Sequence, residues 1–233
     1  MSGDDVKQPG PIRVRVALSA LVMVALTGGC SSGGDYDAVK HPCASADGTV
    51  LHADIDGDGR ADTVTDSGRD SHEVRVTFGG GKTLAPNDLA PKGEEIGSAS
   101  TFGDFDGDGH IDMALVAGAQ DDSDDPLERT GRVQQIRFGP LHHDLSGEAT
   151  ERIRFREDLF NEGLRASDTN HDKTAELSVF QTGGDGQVNR LPVRMSDRTP
   201  TAGEQPLSEG YDKAHWFKRY EPGWADFGTC GGD

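Results

Sequence analysis

Asp54, Asp56, Asp58 and Asp62 stand at positions 1, 3, 5 and 9 of the stretch DIDGDGRAD, and Asp104, Asp106, Asp108 and Asp112 stand at the same positions of DFDGDGHID. Four carboxylates held in so short a loop repel one another, and without a cation some would take up protons. A hard divalent cation relieves that repulsion. Calcium takes six to eight oxygen ligands at about 2.3–2.6 Å in a flexible cage. Alternate residues of a tight loop can point inward together, and position 7, here Arg60 or His110, would add its backbone carbonyl. Gly57, Gly59, Gly107 and Gly109 permit the positive φ angles that such wrapping needs. Both loops are expected to bind calcium.

The beginning is that of an EF-hand loop, but the continuation is not. An EF-hand ends in a bidentate Glu at position 12 and lies between helices. Position 12 here is Thr65 or Leu115. Apolar alternation of the β type follows, so the loops are expected to join strands, with the carboxylate at position 9 supplying the bidentate contact. A weaker third copy, DTNHDKTAE, begins at Asp168. Asp168, Asn170, Asp172 and Glu176 keep oxygens at the four positions. His171 and Lys173 replace the glycines, and Lys173 adds positive charge. Its acids either bind calcium or hydrogen-bond the backbone.

The elements that must hold these loops repeat with them. The loops begin at Asp54, Asp104 and Asp168, and a β-like stretch leads into each: TVLHA, GSASTFG and GLRAS. An alternating stretch leaves each one: ADTVT, IDMALVAG and AELSVFQTGG. A further strand-like stretch follows in EVRVTFGGG, GRVQQIRFGP and QVNRLPVRM. Period-2 alternation of this kind marks half-buried strands. One unit therefore reads as strand, acidic loop, strand, turn, strand and a further edge strand. The middle unit is longer by an insertion containing the acidic run Asp121 to Asp125, expected to be a solvent loop.

GDFDGDGHIDMALVAGAQ, with LHADIDGDGRADTVT and the later GRVQQIRFG, resembles the FG-GAP or VCBS repeat, the calcium-loop repeat of integrin α-subunit propellers. The resemblance covers about residues 50–195 in three units. It implies an all-β fold, a small or partial β-propeller of three to four FG-GAP-like blades, with calcium loops between strands on one face. A seven-bladed ring needs roughly twice this chain. The segment WFKRYEPGWADFGTC, residues 216–230, could supply closing strands.

Composition agrees with a turn-rich β protein. Hydrophobic residues make up 33% of the 233 and there are 32 glycines, too little apolar material for a thick helical core. The formal charge of -18 excludes a surface for nucleic acid or anionic lipid headgroups. Arg13 and Arg15 precede an apolar run, VALSALVMVAL, too short to span a bilayer comfortably. TGGC follows, and this resembles the lipobox of bacterial lipoproteins, which implies lipidation of Cys30. Residues 1–29 are thus expected to be a signal peptide, 30–42 a flexible tether and 43–233 the repeat domain. With Cys30 lipidated, Cys43 and Cys230 remain and are expected to pair in an oxidising compartment.

No GxSxG, HExxH or CxxC motif is present. His142, His143 and Asp144 read as a surface loop rather than a transition-metal site. Arg152, Arg154 and Arg156 read as a solvated strand face. Trp216, Phe217, Tyr220 and Trp224 read as core in a chain poor in aromatics, or else as a sugar-stacking platform. The expectation is an exported calcium-binding lipoprotein on the outer face of a bacterial cell membrane. It would bind a protein or glycan at the cell surface without catalysis. The alternative is an extracytoplasmic hydrolase or lyase using a propeller face.

Overall fold

The computed structural model describes residues 38, 41–89, 96–119, 133–155, 160–182, 188–203, 207–208, 223–224 and 226–231. Among them the chain is built from strands, with helical backbone at Ala38 and in a 3-10 turn over Pro86–Leu89. The signal segment, Cys30, the acidic run 121–125, Arg156, Trp216, Phe217 and Tyr220 lie outside the described residues.

Three antiparallel sheets follow one another along the chain, and none closes into a barrel. The first holds β1 (Cys43–Ala44), β2 (Val50–Ala53), β3 (Asp62–Thr65), β4 (Arg75–Thr77) and β5 (Thr83–Leu84) in that spatial order. The second holds β6 (Ile96–Gly103), β7 (Asp112–Ala119), β8 (Val133–Phe138) and β9 (Ala149–Arg152). The third holds β10 (Phe160–Ser167), β11 (Glu176–Thr182), β12 (Val188–Ser196) and β13 (Thr199–Ala202), with β14 (Leu207–Ser208) also paired to β12. Strands that are neighbours in sequence pair antiparallel within each sheet, and only β14 departs from this by pairing with β12. The expected unit of strand, loop, strand, turn, strand and edge strand recurs in all three.

Alternation works as expected where one face meets solvent. In β8, Gln134, Ile136 and Phe138 are buried while Val133, Gln135 and Arg137 are half-buried. Around β4, Val74, Val76 and Phe78 are buried and Arg75 is exposed. The middle sheet departs from this pattern. Residues 98–103 of β6 and 112–117 of β7 are buried on both faces. These strands lie against β10 of the third sheet. The small side chains of Ser98, Ala99, Ser100 and Gly103 allow that close approach. A Cβ on Gly103 would come within 2.6 Å of the Ala175 Cβ.

One apolar cluster runs through all three sheets. Leu51, Val64 and Val76 come from the first, Phe102, Met113 and Ile136 from the second, and Leu164, Leu177 and Val179 from the third. Each fully buried side chain of this size contributes about 1.5–3 kcal/mol. Ser71, in the loop between β3 and β4, ties the sheets together by polar contacts. Its carbonyl accepts from Ser100 N at 2.8 Å, and its Oγ accepts from Leu164 N at 3.1 Å.

The chain end returns to the start of the domain. Ala44 N donates to Gly228 O at 2.8 Å, and Cys230 N donates to Ala44 O at 3.0 Å. Cys43 and Cys230 are joined, their Cα atoms 4.9 Å apart, as the cysteine count predicts. Between them Trp224 is buried and donates its Nε1–H to Phe102 O at 2.9 Å. It belongs to the core, not to a stacking platform. The tail over 223–231 adds a single parallel bridge, Ala44 to Thr229, rather than a closing strand among its described residues.

Candidate metal centre

The three acidic loops occupy the same place in their sheets. Each joins the strand entering the repeat to the next, and each starts from the same register. Ala53 pairs with Asp62, Gly103 with Asp112 and Ser167 with Glu176. The residue before position 1 thus always faces the acid at position 9. Two strands closed at that point force the intervening residues into one tight curl.

The curl is built by side-chain oxygens that accept from backbone amides of the same loop. Position 1 accepts from position 6: Asp54 from Gly59 at 3.0 Å, Asp104 from Gly109 at 2.9 Å and Asp168 from Lys173 at 3.3 Å. Position 3 accepts from position 5: Asp56 from Asp58 at 3.1 Å, Asp106 from Asp108 at 3.2 Å and Asn170 from Asp172 at 2.9 Å. Position 5 accepts from position 7 at 2.8 Å in each loop: Asp58 from Arg60, Asp108 from His110 and Asp172 from Thr174. Asp and Asn form such local turns readily. Positions 4 and 6 take positive φ throughout, 73° and 81° at Gly57 and Gly59, 78° and 89° at Gly107 and Gly109, and 57° and 76° at His171 and Lys173. The third loop keeps the shared backbone without its glycines.

Position 9 carries a task that its spacing does not reveal. Asp62 accepts from Ile55 N at 2.8 Å and from Gly79 N at 2.7 Å. Asp112 accepts from Phe105 N at 2.8 Å and from Gly139 N at 2.9 Å. Each of these buried carboxylates fastens its loop to the turn beyond a later strand of the same sheet, β4 in the first and β8 in the second. Asp112 therefore works as a staple, with both oxygens engaged by amides. Glu176 is shared differently, accepting from Thr169 N and Oγ1 at 3.1 and 3.2 Å.

Two groups of acids are gathered closely enough to share an ion. Ligand oxygens of Asp54, Asp56 and Asp62 lie within 4.8 Å of one another, as do those of Asp104, Asp106 and Asp108. All are hard carboxylate oxygens, the donor set suited to calcium or magnesium. In the first loop the Asp54 Oδ1 is buried and has no hydrogen-bond partner. A buried oxygen left so costs free energy unless something charged or polar meets it. The residues thus fit a hard cation, which Asp54, Asp56 and Asp62 could hold in one loop and Asp104, Asp106 and Asp108 in the other. Arg60 and His110, expected to offer carbonyls, donate their amides to Asp58 and Asp108. Asp168, Asp172 and Glu176 are not gathered in this way.

Burial sets the electrostatics. It raises the Asp62 and Asp104 carboxyls above the usual carboxylate range. It pushes Asp112 up to about 7, outweighing the Gly139 and Phe105 amides that favour the ionised form. Asp58, exposed at the rim, is instead lowered, chiefly by a hydrogen bond from the Arg60 guanidinium.

Sequence reasoning missed the basic groups that reach the loops from other sheets. His143 Nε2 lies 2.7 Å from Asp56 Oδ2, and its ring packs on Phe78 with centroids 4.5 Å apart. Lys82 donates to the His143 carbonyl. His142, His143 and Asp144 are exposed, as a surface loop requires, and His143 in addition docks on the first acidic loop. Arg198 donates through Nε to Asp106 Oδ2 at 2.6 Å and through Nη2 to Asp108 Oδ2 at 2.5 Å. His143 and Arg198 both lie between the third and fourth strands of their sheets, and each meets the loop of the preceding sheet. No local signal marks this, since the contacts span 87 residues in one case and 92 in the other. Arg152 and Arg154 are exposed, as a solvated strand face requires.

No protein-family model, curated protein or solved structure matches this chain.

Proposed function

We propose that this chain is a calcium-binding β-repeat protein of the FG-GAP or VCBS type, with its three sheets as blades of a small or partial propeller. It is exported and lipid-anchored through Cys30 to the outer face of a bacterial cell membrane. There it binds a protein or glycan ligand without catalysis, and calcium serves mainly to hold the architecture. The observation that carries this reading is the threefold recurrence of one loop in one register, with clustered acids in two of the copies. A loop used for catalysis has no reason to be repeated at the same corner of successive sheets. A loop that neutralises charge at each corner does.

Extracellular sites of this kind have Kd values of about 10⁻⁴–10⁻³ M. At tenfold excess over Kd each occupied site adds about 1.4 kcal/mol. Thermal unfolding in millimolar calcium is expected to occur at a higher temperature than in excess EDTA. Superimposed melting curves would sink the reading. Calcium-dependent capture from an envelope extract then identifies the ligand, and a membrane fraction free of the protein would remove the anchor from the proposal.

A further inference from the structure

The two clustered loops are not equivalent. In the first, Asp54 Oδ1 is buried without a partner. In the second, the matching Asp104 Oδ1 accepts from Gly107 N at 2.7 Å. Asp106 and Asp108 each spend one oxygen on a loop amide and the other on Arg198. Every carboxylate oxygen of the second cluster therefore has a donor. In the first, the guanidinium on Asp58 belongs to Arg60, two residues away on the same loop. In the second, a guanidinium from another sheet bridges two of the acids, whereas in the first the group arriving from another sheet, His143, meets Asp56 alone.

The way Arg198 is presented is unusual for its residue type. Ser196 pairs with Thr199, leaving Asp197 and Arg198 as a two-residue hairpin. Both have positive φ, 47° and 61°. Such hairpins favour Asn-Gly or Asp-Gly, and the second place is where Gly is usual. A long side chain there is disfavoured by the left-handed backbone. Strain of this kind is retained where the side chain has a task. Here the turn aims the guanidinium at Asp106, whose side chain is only 7% exposed, and at Asp108 beside it. The Arg198 Cζ also sits 5.3 Å from the centroid of the Phe138 ring, a cation–π placement that helps hold it there.

We propose that Arg198 is a tethered cation that occupies the second acidic loop, so that a divalent ion enters there only by releasing the turn between β12 and β13. The inference rests on the calcium reading for these loops and assigns their regulation. The first loop fills at lower calcium. The second acts as a latch between the second and third sheets, closed by arginine when calcium is scarce and opened by calcium when it is abundant. Both bonds of Arg198 are charge-assisted, so its removal is worth about a tenfold gain in affinity.

The test uses the full chain in two parts. Calcium titration calorimetry compares Asp56→Asn, which weakens the first loop, with Asp56→Asn carrying Arg198→Gln as well. The expected result is about a tenfold tighter remaining site in the double variant. Urea denaturation in EDTA follows the wild type, Arg198→Gln, Asp106→Asn and their combination. The expected result there is a combined loss smaller than the sum of the single losses, which shows the latch without any metal. Additive losses would overturn the proposal. So would unchanged calcium affinity on removing Arg198 while the wild type still binds calcium, and in that case the calcium reading survives. If neither the wild type nor Arg198→Gln binds calcium at about 10 mM, above the range of extracellular sites, both fall together.

Discussion

The Asp112 carboxylate accepts the Gly139 amide at 2.9 Å, and 27 residues separate the two in the chain. Asp62 holds Gly79 in the same way across 17 residues. The staple links the acidic loop to the turn beyond β8 in the second sheet and beyond β4 in the first, so the loop and that turn are held by one side chain. Asp112→Ala orphans two buried amides, those of Phe105 and Gly139. Each is expected to cost about 1–3 kcal/mol. Asp58→Asn, at the exposed rim, should change stability far less. Urea denaturation of both variants in EDTA separates this role from any metal ligation. Equal losses would show that position 9 is no different from the rim.

Gly109 and Lys173 hold position 6 in the second and third loops with φ of 89° and 76°. A Cβ on Gly109 meets nothing within 4 Å, so Gly109→Ala tests the backbone alone. It should destabilise by about 1 kcal/mol. Lys173→Gly should be neutral or stabilising, because the strain it relieves offsets the extra freedom of the unfolded chain. Chemical denaturation checks both, and a clear loss for Lys173→Gly would mean that the lysine side chain matters more than its backbone.

Cys43 and Cys230 close a loop across 187 residues. Replacing both by Ser should lower stability by about 2–5 kcal/mol. The effect should be reproduced by adding reductant to the wild type and should be absent when reductant is added to the variant. Wild-type melting indifferent to reductant would contradict the bridge.

Asp66 is buried, with Oδ2 accepting from Ser71 N at 2.9 Å and Oδ1 unpartnered. Burial raises its carboxyl above the usual value. The folded state therefore holds the proton more tightly than the unfolded chain does. The stability that this contributes is fully present below the unfolded value near 3.8 and is lost as pH rises through the higher folded value. Asp66→Asn stays neutral throughout. Its melting temperature relative to wild type should therefore improve as pH rises above the unfolded value near 3.8. A difference that is constant with pH would show that Asp66 is not the group involved.

Much of this fold could be read from local pattern. The strands around DIDGDGRAD and DFDGDGHID follow from period-2 alternation, because an antiparallel strand with one buried face needs little else. That strands rather than helices flank these loops follows from the β-type run beyond each one, with Thr65 or Leu115 at position 12. The curl of each loop was legible as well, since Asp and Asn side chains bond amides two and five residues ahead in the chain. His171 and Lys173 concealed the third copy only in part, because the shared register supplies what the glycines would have made easy. Where the strands were buried on both faces, as in β6 and β7, alternation failed, since the third sheet covers the side that solvent would have left polar.

What the chain's order of residues determined alone was the repeat, the oxygen donors and the two cysteines that meet. Tertiary structure decided which oxygens are engaged and by what. Asp62 and Asp112 became staples because Gly79 and Gly139 were brought to them by folding. Asp56 met His143, and Asp106 and Asp108 met Arg198, because successive sheets pack with the turns of one beside the loop of the other. Such contacts depend on how sheets are placed in space, and residues some ninety positions apart carry no periodicity that could announce them.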